Sequence, residues 1–293
     1  MPLGEAVLNY SCHQYGDNVL QNVGIWQFAN KSSQLDTNGY WIVFIHGGAW
    51  RDPKITHLSF APAVNHLTSS DRPSSDLIAG FASIDYRLSP HPDYPQDPSG
   101  TPSTELRDAR HPDHVHDVES ALDFLRQDHG LKDDNYVLVG HSAGATLAFQ
   151  LLMGSSTRAH APSKPPLPAA IIGVSGIYDL VALDNRHHGN YAGFITSAFG
   201  GNREVWKAAS PAAYTGSFKT SWSSSKFAIL AWSQQDTLID EPEIDAMAGK
   251  LITDRVNVSI AKDLTGEHDD VWEQGSQLAQ LVLQSLAQLK ASS

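Results

Sequence analysis

Cysteine is almost absent: the 293 residues hold one, Cys12. That excludes an internal disulfide, and with it a small disulfide-stapled scaffold. Long apolar runs are missing too. No stretch approaches 18 consecutive apolar residues, so no membrane-spanning helix is expected. The opening MPLGEAVLNYSCHQYG lacks a basic segment ahead of an apolar one and does not read as a secretory signal. Positive charge is scarce, with 20 Lys and Arg against 32 Asp and Glu, a formal net charge of −12. Such a surface repels phosphate backbones, and no basic stripe overrides it. The expectation is a cytoplasmic protein with neither nucleic acid nor membrane as partner. A small anionic ligand stays open, because local charge departs from the mean.

What is present is a rhythm of apolar, β-branched runs. They are Tyr40 to His46, Leu77 to Leu88, Asn135 to His141, Ala169 to Ile177, Lys226 to Ser233 and Val256 to Leu264. Near-continuous apolarity predicts strands buried on both faces, as in parallel sheets. Between them lie helical stripes: Val115, Val118, Leu122 and Leu125, then Leu278, Val282, Leu286 and Leu289. The alternation predicts one doubly wound α/β domain over residues 1–293. Residues 89–112 carry Pro90, Pro92, Pro95, Pro98, Pro102 and Pro112 and read as an extended loop. Ser155 to Pro168 and Gly216 to Lys226 read as surface connections. The aromatic, glycine-rich residues 184–206 read as a small cap over the sheet.

The run NYVLV passes directly into GHSAG, Gly140 to Gly144, and then into helical TLAFQLL. This is G-x-S-x-G in the strand, sharp turn, helix context that presents a serine as a nucleophile. Small neighbours are needed because strand and helix nearly touch there. A serine hydroxyl needs a base, and the base an orienting acid, which in this architecture follow in the order Ser, acid, His. Asp236 follows one late run and His268 the next, so both are expected at the edge that carries Ser142. Asp240 is the rival of Asp236. Among the 14 histidines, His141 adjoins Ser142 but is expected to point elsewhere, and His187 and His188 precede the acid.

One strand earlier stands HGGAW, His46 to Trp50. Attack on a carbonyl places negative charge on its oxygen, and backbone N–H groups stabilise it. Gly47 and Gly48 let the main chain approach a substrate closely. Gly48 and Ala49, with Ala143 after the serine, are the expected donors. His46 is expected to brace the loop, and Trp50 either to wall the pocket or to pack in the core.

HGGAWRDP, SIDYRLSPHPDYP, HPDHVHDVESALDFL, GHSAGA, SGIYDL and ASPAAY together resemble the kynurenine formamidase (arylformamidase) family, in its fungal branch, over about residues 20–290. The resemblance implies an α/β-hydrolase fold. It also implies hydrolysis of N-formyl-L-kynurenine to L-kynurenine and formate, with a Ser142–Asp236–His268 triad and neither metal nor organic cofactor. A small-molecule substrate is the implied partner, and the resemblance leaves room for a homodimer. Trp50, Tyr86 and Arg87 are candidates for contacts to the aryl ring and amino-acid tail, with a buried ion pair as the competing reading of Arg87. The proline-rich loop and the serines at 221–225 depart from a compact version of the family.

Other classes share features of this sequence. A carboxylesterase of different ester specificity would carry the same triad and loop. A non-catalytic binding protein on this fold usually lacks a triad member. HPDHVHD, with His111, His114, His116 and Asp117, is dense enough to raise a metal hydrolase, although His114 and His116 face different directions on a helix.

Overall fold

The alternation of strand side chains divides the molecule into layers. The structure, a computed structural model, describes residues 8–29, 39–69, 77–154, 165–222 and 226–292. Eight strands form one sheet: β1 (Leu8–Gln14), β2 (Asn22–Phe28), β3 (Tyr40–Ile45), β4 (Ile78–Ile84), β5 (Tyr136–His141), β6 (Ala170–Val174), β7 (Phe227–Ser233) and β8 (Asn257–Leu264). Their spatial order is β1-β2-β4-β3-β5-β6-β7-β8. The pairs β1·β2 and β2·β4 are antiparallel, and all the others are parallel.

The helices in chain order are α1 (Ala61–Thr68), α2 (Asp113–His129), α3 (Ala143–Gln150), α4 (Leu180–Arg186), α5 (Ala192–Phe199), α6 (Arg203–Ala209), α7 (Phe218–Ser221), α8 (Glu241–Thr253), α9 (Asp270–Gln274) and α10 (Ser276–Ser292). Trp41, Val43 and Ile45 of β3 face the core shared with α2, α3 and α8. Ile42 and Phe44 face the core shared with α1 and α10. The same two-sided division runs through β5 and β7, as period-two side chains require when both faces are covered. No described helix is long and apolar enough to cross a membrane.

The six apolar runs and both helical stripes fall on observed elements. The runs at 77–88 and 169–177 overshoot: β4 stops at Ile84 and β6 at Val174, and the remaining residues leave the sheet as loops. The antiparallel pair β1 and β2 was not anticipated. β1, LNYSCHQ, is an edge strand of half-buried and exposed residues, none fully buried, and has too little apolar content to stand out. Residues 165–168 of the connection expected at Ser155 to Pro168 are described, without helix or strand; 155–164 and 223–225 lie outside the described residues.

Candidate active site

Four loops that leave the C-terminal ends of β3, β5, β7 and β8 meet at one edge of the sheet, the place where parallel α/β folds gather chemistry. The loop after β5 is the tightest. Ser142 takes φ 52° and ψ −121° between β5 and α3, a conformation that costs a non-glycine residue about 1–3 kcal/mol. The glycines on either side explain how the turn closes. A Cβ on Gly144 would lie 2.1 Å from the Ile45 carbonyl oxygen, and one on Gly140 would lie 2.5 Å from the Gly144 oxygen. These obstacles are backbone atoms of a central strand and a helix, so they cannot swing aside. Gly144→Ala is therefore expected to cost about 3 kcal/mol or more. The check is a denaturant midpoint measured beside wild type; an unchanged midpoint would show that strand and helix are not in contact there.

His268 follows β8, and its Nδ1 lies 2.8 Å from Oδ2 of Asp236, which follows β7. The second carboxylate oxygen of Asp236 accepts the N–H groups of Leu238 and Ile239, each at 2.9 Å. Burial pushes the Asp236 carboxyl up. Hydrogen bonding and charge from His268, the Ile239 N–H and the Ser175 side chain outweigh it, and the carboxyl is held below the ordinary value. An ionised acid fixed on both oxygens holds the His268 ring in one orientation. Asp240, the rival acid, pairs with Arg186 at 2.6 Å instead.

The loop after β3 carries three consecutive left-handed residues: Gly48 (φ 86°), Ala49 (φ 49°) and Trp50 (φ 59°). Among the described residues, the N–H groups of Gly48 and Ala49 make no hydrogen bond to backbone. Gly47 must be small, since a Cβ there would sit 2.9 Å from both Ser142 Cβ and His141 Nδ1. The loop is braced from below. Tyr86 O–H donates to the carbonyls of His46 (3.1 Å) and Gly47 (3.0 Å), and its ring stacks on His46 at 4.6 Å. His46 Nε2 lies 3.4 Å from Asp85, which also binds His57 at 2.5 Å, and His57 reaches Tyr10 at 2.8 Å. Burial raises the Asp85 carboxyl, but hydrogen bonds and charge from both histidines hold it below the ordinary value. Asp85, His57 and Ser175 were not singled out from the sequence. The available signal was Asp85 itself, a carboxylate placed where the apolar strand β4 stops.

Gly48, Ala49, Ser142 and His268 line a cavity of about 280 Å³ with Arg51, Asp52, Ile177, Tyr191, Phe194 and Ile239 among its other walls. The cavity brings the Ser142 hydroxyl, the His268 imidazole and the Gly48–Ala49 backbone to one space, a set of groups able to act on an electrophilic carbonyl. Trp50 is outside this wall. It is fully buried, edge-on to Phe199 at 4.9 Å and stacked with Phe194 at 6.2 Å, so it supports the wall from the core. Of its two readings, the pocket wall gives way to core packing. Neither Tyr86 nor Arg87 lines the cavity. Arg87 forks onto buried Asp117 at 2.8–3.1 Å, the ion-pair reading.

The histidine-dense HPDHVHD stretch is divided by the start of α2. His114 bonds Ser89 at 3.0 Å, Asp117 is taken by Arg87, and His111 packs on Phe199. Among the described residues, the one group of three His, Cys, Asp or Glu whose ligand atoms converge within 4.8 Å is His141, His268 and Asp269. Two nitrogens of that group are engaged, His268 Nδ1 by Asp236 and His141 Nε2 by the His268 carbonyl at 3.0 Å.

Buried histidines also set an acid limit. Burial, with help from neighbouring positive groups, pushes His114 and His141 down to about 3 from 6.5. Below pH 6.5 the unfolded chain protonates both while the folded chain does not. Their contribution to stability is thus present above 6.5 and is lost as pH falls towards 3. Each costs ~2 kcal/mol between pH 6.5 and 5. Calorimetry at the two pH values should show a clear drop in Tm that His114→Gln makes smaller. Equal Tm values would sink this account.

A serine on a strand-to-helix elbow, an acid–histidine pair on the two last strands and an N–H-bearing loop at one sheet edge define the α/β-hydrolase class. The alpha/beta hydrolase family accordingly matches residues 42–280. Esterase B from Lactobacillus rhamnosis superposes with a TM-score of 0.71 at 14% identity, covering 97% of this chain and 87% of that one. A kynurenine formamidase-like hydrolase of Fusarium equiseti is 38% identical, over 96% of this chain and 95% of its own. The kynurenine formamidase of Aspergillus versicolor is 36% identical, over 83% and 87%. The chain belongs to the α/β-hydrolase family, among the kynurenine formamidases of fungi.

Proposed function

We propose that this protein hydrolyses N-formyl-L-kynurenine to L-kynurenine and formate through a formyl-serine intermediate. The observation that carries the reading is the 38% identity, across 96% of the chain, to a kynurenine formamidase-like hydrolase. The site supports it with a complete set of groups for acyl transfer.

Ser142 Oγ attacks the formyl carbon as His268 Nε2 takes its proton, and Asp236 balances the imidazolium through Nδ1. The oxygen of the tetrahedral intermediate lies against the N–H groups of Gly48, Ala49 and Ala143, each donor contributing about 3–4 kcal/mol. Collapse expels the aryl amine, which receives the proton from His268. Water, deprotonated by the same histidine, then attacks the formyl-serine, and formate leaves. Every proton is carried by residues of the chain itself. A formyl group has no alkyl arm, so the acyl side needs little space. The aryl ring of the leaving group rests on Tyr191 and Phe194, and α4 to α6 serve as the cap.

The test is a continuous assay of kynurenine absorbance with N-formyl-L-kynurenine, beside phenyl acetate. The expected result is a kcat/KM at least about tenfold higher for the formamide, within the range of enzyme–substrate discrimination set by polar contacts. Turnover of the ester with none of the formamide would assign the protein to the carboxylesterases.

A further inference from the structure

Arg51 and Asp52, which follow the HGGAW loop, are consecutive residues of opposite charge, and both line the cavity that holds Ser142. They do not pair: no ion pair within 4 Å joins them among the described residues. The Arg51 guanidinium is half-buried and makes no side-chain hydrogen bond among the described residues; it lies over the Phe194 ring at 5.9 Å and feels the charges of Asp93 and Asp52 without an ion pair to either. One Asp52 oxygen accepts the Lys54 N–H at 2.9 Å, and the other accepts no hydrogen bond among the described residues. The remaining carboxylate of the cavity, Asp269, gives one oxygen to the Trp272 indole N–H at 2.9 Å and lies within 4.8 Å of ring nitrogens of His141 and His268, on the Ser142 side of the cavity and away from Arg51's second cavity. A desolvated guanidinium and a free carboxylate oxygen held apart on one wall form a site awaiting both an anion and a cation.

The surroundings give the pair a direction. Arg51 also borders a second cavity, of about 590 Å³, formed with the proline-rich loop and lined further by Arg107, Arg110 and Asp108. Arg107 uses one terminal nitrogen on the Tyr94 carbonyl at 2.7 Å, while its buried Nε has no partner. Three guanidiniums against Asp108 in the lining and Asp93 beside Arg51 leave that side with a small excess of positive charge in a chain whose net charge is −12. An anionic group entering from the first cavity is drawn towards Arg51 and the second.

The geometry points to Arg51 and Asp52 as a clamp for the zwitterionic α-amino-acid end of the leaving group, guanidinium on its carboxylate and carboxylate on its ammonium. The identity of that leaving group rests on the formamidase reading; the charge pattern that selects a zwitterion does not. The clamp places the amino-acid tail towards the second cavity, with the aryl ring across Phe194 and the formamide over Ser142. It binds ground state and transition state alike, so its loss raises KM more than it lowers kcat.

Three formamides separate the contacts: N-formyl-L-kynurenine, its decarboxylated analogue and its desamino analogue. Wild type should prefer the parent to either by roughly 10- to 100-fold in kcat/KM, the range for one hydrogen bond to a charged group. Arg51→Gln should collapse the parent-to-decarboxylated ratio, and Asp52→Asn the parent-to-desamino ratio. A merely structural role in the loop lowers all three substrates together and leaves both ratios intact, which overturns the clamp. If wild type hydrolyses phenyl acetate and none of the formamides, the formamidase reading falls separately. The same three compounds then serve as competitive inhibitors of ester hydrolysis. The clamp stands if their inhibition constants follow the two variants in the pattern given above, and falls if they do not.

Discussion

Ser142→Ala is expected to abolish turnover of N-formyl-L-kynurenine, lowering kcat by about 10⁴- to 10⁶-fold, while the fold stays intact. On the proposed mechanism, the size of the loss follows from replacing a two-step acyl transfer by direct attack of water. With no Oγ, His268 has no hydroxyl to deprotonate and no formyl-enzyme can form. On the same proposal, the residual rate reflects substrate held against the Gly48 and Ala49 N–H groups, the proposed oxyanion donors. Stability should change little. Ser142 is held through its backbone, its N–H donating to the Val174 carbonyl at 2.9 Å, and alanine in the same strained turn loses only the hydroxyl. Single-turnover kinetics on freshly purified variant, with a denaturant curve alongside, separate the two effects. Retention of more than about a hundredth of wild-type kcat would move the nucleophile elsewhere.

Asp236→Asn comes next, with an expected loss of about 10⁴-fold in kcat. The reason lies in what surrounds the carboxylate. Two backbone N–H groups, from Leu238 and Ile239, point at one oxygen, and His268 Nδ1 points at the other. An amide offers one oxygen for these two sides. Turned towards the backbone, it presents NH₂ to Nδ1 and selects the tautomer that carries its proton on Nε2, where the serine proton must go. Turned towards His268, it presses NH₂ against two N–H groups. Either way the imidazolium loses its counter-charge. The pH–rate profile is the discriminating measurement: activity of the variant should partly recover at high pH, where hydroxide substitutes for the missing base. A profile parallel to that of wild type would show that Asp236 is structural.

The sheet and the elbow were legible because their physics is local. In GHSAG, Gly140, Ala143 and Gly144 carry the small side chains that the strand–helix contact demands, and unbroken apolarity marks strands covered on both faces. The chain order Ser, acid, His selected Asp236 and His268 because each follows a strand that had already been recognised. β1 was missed because a solvated edge strand leaves no apolar run, and β2, although buried, because its apolar residues are few and broken by Gly24 between polar Asn22 and Gln27.

What the sequence by itself determined was therefore the α/β class, the turn that presents Ser142, the glycine-rich loop at His46 to Trp50 and the two loops that reach it. Tertiary structure alone decided which partners those residues meet. Trp50 became core because Phe194 and Phe199 close around it. Arg87 was claimed by Asp117, thirty residues away. Asp85 became the strut that joins His46 to His57. Arg51 was left facing open space between two cavities. A backbone turn is set by residues within a few positions of one another, whereas a side-chain partner is set by whichever groups packing brings within about 3 Å, and spacing along the chain does not encode that.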